Sequence, residues 1–308
     1  MNTPSNAATE PPHDAPVIPP ASMSPTRPMY WSVRCELWES RSIYIAPLAV
    51  AGVVLIGFMF SMIGMPERRR AVLLLDLAQQ RAAIDKPYDI AAMILLATAV
   101  IIGVFYCLDA LHGERRDRSI LFWKSLPVSD LTTVLSKASI PLVVLPAITF
   151  VVTVATQLIM MLMTNALLLA NGVSVTTWAQ LPLAEQSVVL LYGLIALALW
   201  HAPIYGWLML VSGWARRSVF LWAVLPLIVI QVVEKIAFNT SYVGSILKHR
   251  VIGFAAEAFA FGPHARIDSL AQLTPGHFLS TPGLWIGLAF AAAFLFAAAR
   301  QRRYRGPI

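Results

Sequence analysis

Long apolar runs, separated by short polar or charged stretches, set the plan of the chain. They fall at 43–65, 89–111, 138–163, 187–211, 218–238 and 282–300, each free of Lys, Arg, Asp and Glu across its middle. A helix needs roughly 20 apolar residues to cross a hydrocarbon core of about 30 Å, and no water is available there to satisfy an open backbone. The pattern therefore predicts an all-α, polytopic membrane protein with six transmembrane helices.

The segments between the runs predict further elements. In Met29-Tyr-Trp-Ser-Val-Arg-Cys-Glu-Leu-Trp-Glu-Ser-Arg41 a helix would gather Trp31, Cys35 and Trp38 near one face, with Arg34, Glu36 and Arg41 elsewhere. Such a helix suits the headgroup layer; the alternative is an extension of the first span. Val251-Ile-Gly-Phe-Ala-Ala-Glu-Ala-Phe-Ala-Phe261 is too short to span and predicts a piece that dips into the membrane or lies on it, with Glu257 arguing against full burial in lipid. Residues 1–28 hold eight prolines and few large apolar residues, which predicts a disordered cytoplasmic tail. The membrane-spanning body then covers 29–305.

Composition agrees with a lipid-solvated protein. Hydrophobic residues make up 58% of the chain and charged residues 13%, against about 25% charged in soluble domains. The net charge of +7 comes from basic residues that flank the apolar runs, a distribution suited to membrane lipid and not to nucleic acid. The positive-inside rule favours cytoplasmic N- and C-termini, with Arg115, Arg116, Arg118, Lys124, Lys137 and Arg300-Gln-Arg-Arg-Tyr-Arg305 inside. Arg68, Arg69, Arg70, Arg81 and Lys86 then fall in the first external loop, against the trend. Cys35 and Cys107 are too few for a disulfide framework.

Chemistry-bearing residues are sparse. Lys124-Ser125 lacks the preceding glycines of a P-loop, so ATP could act only through a partner subunit and no cofactor is bound directly. His249, His264, His277 and Asp268 lack metal-motif spacing. His201 lies mid-span beside Pro203, where it could line a substrate path or satisfy backbone that Pro203 opens. Gln157, Asn165 and Gln231 suit interhelical hydrogen bonds. Asp109 suits a pair with a nearby Arg, and Glu234 with Lys235 marks the outer end of span five. No catalytic or metal site is expected.

The most informative stretch joins spans two and three: Leu108-Asp-Ala-Leu-His-Gly-Glu-Arg-Arg-Asp-Arg-Ser-Ile-Leu-Phe-Trp-Lys-Ser-Leu-Pro-Val-Ser-Asp130. A charged run is followed by the apolar patch Ile120 to Trp123, then by a break at Leu126-Pro127-Val128-Ser129. Ser129 or Asp130 could cap the next helix. Taken alone, such a run is a solvated anchor. Its order of features, however, resembles the cytoplasmic loop of type-2 ABC exporter permeases, on Glu114, Asp117, Ser119, Leu121, Leu126, Pro127, Ser129 and Lys137. The family often has glycine where Ser119 stands.

The resemblance extends over roughly residues 29–305. It implies a coupling helix at 114–130, with Glu114, Arg115, Asp117, Arg118, Leu121, Trp123, Leu126, Pro127 and Ser129 serving an ABC ATPase subunit. It further implies a homodimer or heterodimer of permeases in a prokaryotic cytoplasmic membrane, and export as the direction of transport. His201, Gln157 and Gln231 would line a path or pack helices. A non-transporting scaffold or immunity-type protein is the alternative, and a membrane-embedded enzyme a more remote one.

Overall fold

The computed structural model describes residues 26–72, 74–125, 128–172, 183–260 and 270–305. Among the described residues, six helical stretches are long and apolar enough to cross a bilayer. Span one is α2, Ser42–Ser61. Span two is α4, Leu77–Asp109. Span three joins α7, Asp130–Ser139, to α8, Leu145–Ala170, through a π-helical turn at Ile140–Val144. Spans four and five are α9, Leu183–Trp214, and α10, Val219–Phe238. Span six is α14, Pro282–Tyr304. Among the described residues there is no strand, only a single bridge between Phe259 and Leu273.

The short helices are α1, Thr26–Glu39; α3, Met65–Val72; α5, His112–Arg116; and α6, Ile120–Ser125. Later in the chain come α11, Tyr242–Ile252; α12, Phe254–Ala258; and α13, Pro275–Ser280. Helix α1 begins at Thr26, so residues 26–28 of the expected tail are helical, and residues 1–25 lie outside the described residues. It is separate from span one, because the chain leaves helical form at Ser40 and Arg41. Trp31, Cys35 and Trp38 lie on its exposed face, while Ser32 and Glu36 are buried. Arg34 is not apart from the tryptophans: its guanidinium lies 5.3 Å from both ring centroids.

Prolines explain the departure from plain α-helix in span three. Pro141 lies within the π turn and Pro146 two residues after it, and neither has an N–H to donate back along the helix. A wide turn at that point absorbs the missing bonds.

Spans four and six form the most extensive helix pair. Buried Ala198, Ala202 and Gly206 recur every fourth residue on α9, and Gly287, Ala291 and Ala298 are buried on α14. Small residues let two helix backbones approach, which is the main source of packing energy inside lipid. A Cβ on Gly206 would stand 3.2 Å from the Ala291 carbonyl oxygen and 3.3 Å from its Cα. Backbone atoms cannot swing aside, so Gly206→Leu is expected to separate the spans; overpacking of this kind costs about 1–3 kcal/mol or more. Loss of monodisperse protein in detergent gel filtration, with Gly276→Leu as a control at an open position, is the measurement.

Both described chain ends lie at one end of the bundle, called here the proximal end. Span one starts there beside α1 and span six finishes there.

Candidate functional site

The loop between spans two and three folds as two short helices, α5 and α6, and not as one helix over 114–130. Arg118 separates them, with φ of 60° in the left-handed region that a non-glycine residue enters only in special turns. A straight rod is thereby turned into a bent clasp. Ile120 is buried beneath α6, Trp123 is half-buried, and Leu121 faces out at 58% exposure. Arg116, Asp117, Arg118 and Lys124 are also exposed. Leu126 and Pro127 lie outside the described residues. Ser129 caps span three, its hydroxyl accepting from the Thr132 N–H at 3.1 Å.

Glu114 and Arg115 turn the other way. Glu114, Glu36, Lys137 and Arg302 are each between 3% and 5% exposed, and they meet in one ion cluster. Lys137 Nζ donates to Glu36 Oε1 at 2.5 Å and stands 3.2 Å from Glu114 Oε1. Arg302 donates through Nε and Nη2 to Glu114 Oε2 at 3.2 and 3.1 Å, and through Nη1 to Asp130 Oδ1 at 2.5 Å. The Tyr106 hydroxyl donates to Glu36 Oε2 at 2.9 Å. The five charged groups come from α1, α5, the first and last turns of α7 and the last turn of α14, with Tyr106 adding span two.

Burial decides the energetics. An isolated charge there would cost several kcal/mol, so each member holds its neighbours in place, and removal of one leaves another uncompensated. The arrangement fixes geometry more than it adds net stability.

A second set of contacts ties the clasp to span four. Arg115 Nη1 donates to the Gly213 and Ala215 carbonyls at 2.8 and 3.3 Å. The Arg305 guanidinium donates to the Trp214 carbonyl at 2.9 Å. Cations therefore satisfy the open carbonyls at a helix C-terminus, where the dipole favours them. The Ser212 hydroxyl donates to the Leu108 carbonyl at 2.7 Å and accepts from the Leu111 and His112 N–H groups at 3.1 and 2.9 Å. One buried serine thus joins span four to the turn that starts the clasp.

Beside the cluster lies a cavity of about 650 Å³, bordered by Glu36, Glu39, Asp109, Glu114, Asp117 and Lys137 among others. Partial burial pushes the Glu39 carboxyl above its ordinary value; Lys137 opposes this, while Glu36 and Glu114 add to it. Asp109 stands 3.6 Å from Arg116 in an exposed pair, as its position suggested.

The remaining candidates are dispersed. His201 is buried between two carbonyls, Leu197 O at 2.9 Å from Nδ1 and Val251 O at 3.2 Å from Nε2, and a neutral imidazole donates to one of them at a time. The backbone it serves is not the carbonyl four residues before Pro203, which is that of Leu199. Instead it fastens α11 to span four. Gln157 Nε2 donates to the Tyr88 carbonyl at 3.4 Å, joining spans three and two. Gln231 lies beside Gly244 of α11, and no interhelical hydrogen bond from it occurs among the described residues. Asn165 is buried without a hydrogen-bond partner for either amide atom, against expectation.

At the distal end, Glu234 does more than end span five. Its carboxylate accepts from the Tyr242 and Val243 N–H groups at 2.5 and 2.9 Å, capping α11. Of the 251–261 piece, Phe261 lies outside the described residues; the rest breaks at Gly253 and packs on span four, with the Tyr192 hydroxyl donating to the Ala258 carbonyl at 3.0 Å. Arg250 lies 4.5 Å from the Trp200 ring centroid, and burial lowers its guanidinium from the usual value without discharging it. His249 and His277 flank Glu257 at 3.5 and 3.9 Å. No group of His, Cys, Asp and Glu suited to a metal occurs among the described residues, and His264 and Asp268 lie outside them.

Compared with known proteins, the chain matches no family model, no curated protein and no solved structure. The ion cluster therefore stands on its geometry. Sequence reasoning found Glu114 and Lys137 but missed their partners Glu36 and Arg302, and it missed Ser212, which holds the turn at Leu108–His112. Glu36 reads as one polar residue of an amphipathic helix, and Arg302 as one of a basic tail.

Proposed function

We propose that the protein is the membrane-spanning permease subunit of an ABC transporter, an exporter, driven by a separate ATPase subunit that seats on the α5–α6 clasp. The observation that carries this reading is the buried cluster joining Glu114 to Glu36, Lys137, Arg302 and Asp130. A partner's nucleotide cycle can move a bundle only through an element that is exposed to the partner and rigidly attached to the spans. The clasp has both properties: Leu121 and Lys124 face out, while Glu114 and Arg115 are locked inward.

Force on α6 would pass through Glu114 to the first turns of span three and the last turn of span six. Arg115 and Ser212 would carry it to the end of span four. The π turn lies just beyond Lys137, where a helix already departs from regular bonding and bends at low cost. Binding and hydrolysis of ATP by the partner do work only where the two conformations differ in contact free energy, which a fixed clasp supplies. The permease itself is not an enzyme and holds no cofactor. Two such permeases, identical or related, would form the dimer, in a prokaryotic cytoplasmic membrane with both termini on the ATPase side.

Leu121→Glu, alone and with Trp123→Glu, tests the reading. The single change adds charge at an exposed apolar position without touching the buried cluster. An ATPase bearing a P-loop is expected to co-purify with the wild-type chain from native membranes and to be lost with the variants, which still insert and remain monodisperse. Undiminished recovery of the ATPase with both variants, or its absence from the wild type, would overturn the proposal.

A further inference from the structure

The distal end carries a second cavity, remote from the clasp. It has a volume of about 300 Å³ and lies where α3 folds over the ends of spans one and two. Its wall is mainly apolar, from Phe58, Met65, Val72, Ile84 and Pro87, with Arg68 among the lining residues. That volume is at the lower end of the ~300–1,000 Å³ of small-molecule pockets, and suits a slim apolar chain better than a sugar or a folded peptide.

Three further observations define the occupant. First, Arg68 is exposed, and its one hydrogen bond among the described residues is long, from Nη2 to the Ile63 carbonyl at 3.4 Å. It forms no ion pair among those residues, and the sequence around it, Glu67-Arg-Arg-Arg70, is strongly basic. Second, Phe60, Ile63 and Leu74, close to it along the chain, are exposed at 70%, 72% and 88%. Apolar side chains left open around an arginine mark the boundary between lipid tails and headgroups. Third, Pro87 has no N–H to give the Ala83 carbonyl one turn back, and both residues line the cavity. The regular helix bond between these two residues is therefore missing at the cavity wall.

We infer that this cavity is a binding site for an anionic phospholipid, with one acyl chain among Phe58, Ile84 and Pro87 and the phosphate on Arg68. Such a site gives Arg68, in the basic 66–88 stretch at the end of the bundle opposite the clasp, a lipid counter-charge. The inference does not depend on the transporter reading, since it concerns a different cavity and a different ligand.

The test uses the full-length protein in detergent, with native mass spectrometry after exposure to vesicles of phosphatidylglycerol or of phosphatidylcholine with matched chains. Wild-type protein is expected to retain phosphatidylglycerol at least about fivefold better, the preference that one well-placed arginine gives near a membrane surface. Arg68→Glu is expected to abolish that preference. Ala83→Phe, placed at an exposed position of the cavity wall, is expected to reduce retention of both lipids. Melting curves within a few degrees of wild type serve as the folding control. Equal retention of the two lipids by the wild type, or both variants binding as the wild type does, would overturn the inference. Displacement of phosphatidylglycerol by millimolar inorganic phosphate would also overturn it, because the site would then recognise the free anion and not a lipid. If either variant fails to fold, the wild-type contrast between the two lipids still decides the matter.

Discussion

Lys137→Met is expected to destabilise the protein by about 3–5 kcal/mol, the usual cost of removing one member of a buried ion pair. Lys137 is the cation between Glu36 and Glu114. Methionine would fill its volume but leave two buried carboxylates side by side. Arg302 still faces Glu114, so the larger share of the loss falls on Glu36, whose other partner is the Tyr106 hydroxyl. In detergent this corresponds to a fall in melting temperature of roughly 10 °C.

The double variant Glu36→Gln with Lys137→Met separates charge from shape. With the glutamate neutral, no carboxylate is left unpaired on α1, and the double variant is expected to be more stable than Lys137→Met alone. The excess over additivity measures the pair. A single variant that melts within a degree or so of wild type would mean that the cluster is open to water and holds nothing together.

The spans were legible because lipid imposes a one-dimensional demand, a minimum run of apolar residues, that sequence displays directly. The helices extend past the apolar runs, however. Span two begins at Leu77 and includes Arg81, Asp85 and Lys86, and span four begins at Leu183. Apolarity reports the lipid-immersed part of a helix, while hydrogen bonding continues into the headgroup layer and beyond. The π turn at Ile140–Val144 left a trace as two prolines five residues apart, but prolines alone do not say whether a helix kinks, stops or widens.

The site was legible only in part, for a different reason. Glu114 and Lys137 stood out because they lie in a segment whose order of features resembles a known loop. Their partners did not, since Glu36 is 101 residues from Lys137 and Arg302 is 188 from Glu114. No local pattern marks a charge that will be buried by a distant helix. Arg118 is similar: its left-handed backbone divides the loop into two helices between buried Arg115 and buried Ile120, and no local pattern announces it. Asn165 shows the converse. A polar residue in an apolar span suggested a partner, and the described protein supplies none.

Arg302→Lys is expected to loosen the clasp without unfolding the bundle. The guanidinium of Arg302 faces two carboxylates at once, with Nε and Nη2 on Glu114 and Nη1 on Asp130. Lysine keeps the charge but brings a single ammonium, which cannot reproduce a planar fork held between two acceptors. One charge-assisted hydrogen bond, worth about 1.5–3 kcal/mol, is lost. Since each 1.4 kcal/mol is about tenfold in an equilibrium constant, local opening of the clasp should rise by about ten- to a hundredfold. Hydrogen exchange reads this directly: amides of 112–125 and of the first turns of α7 should lose protection, while those of 284–297 in span six keep theirs. On the transporter reading the ATPase still co-purifies, because Leu121 is untouched, yet its hydrolysis no longer changes the exchange of span three. Protection unchanged throughout would show that Arg302 is a passenger in the cluster and that force entering at α6 has no route to span six.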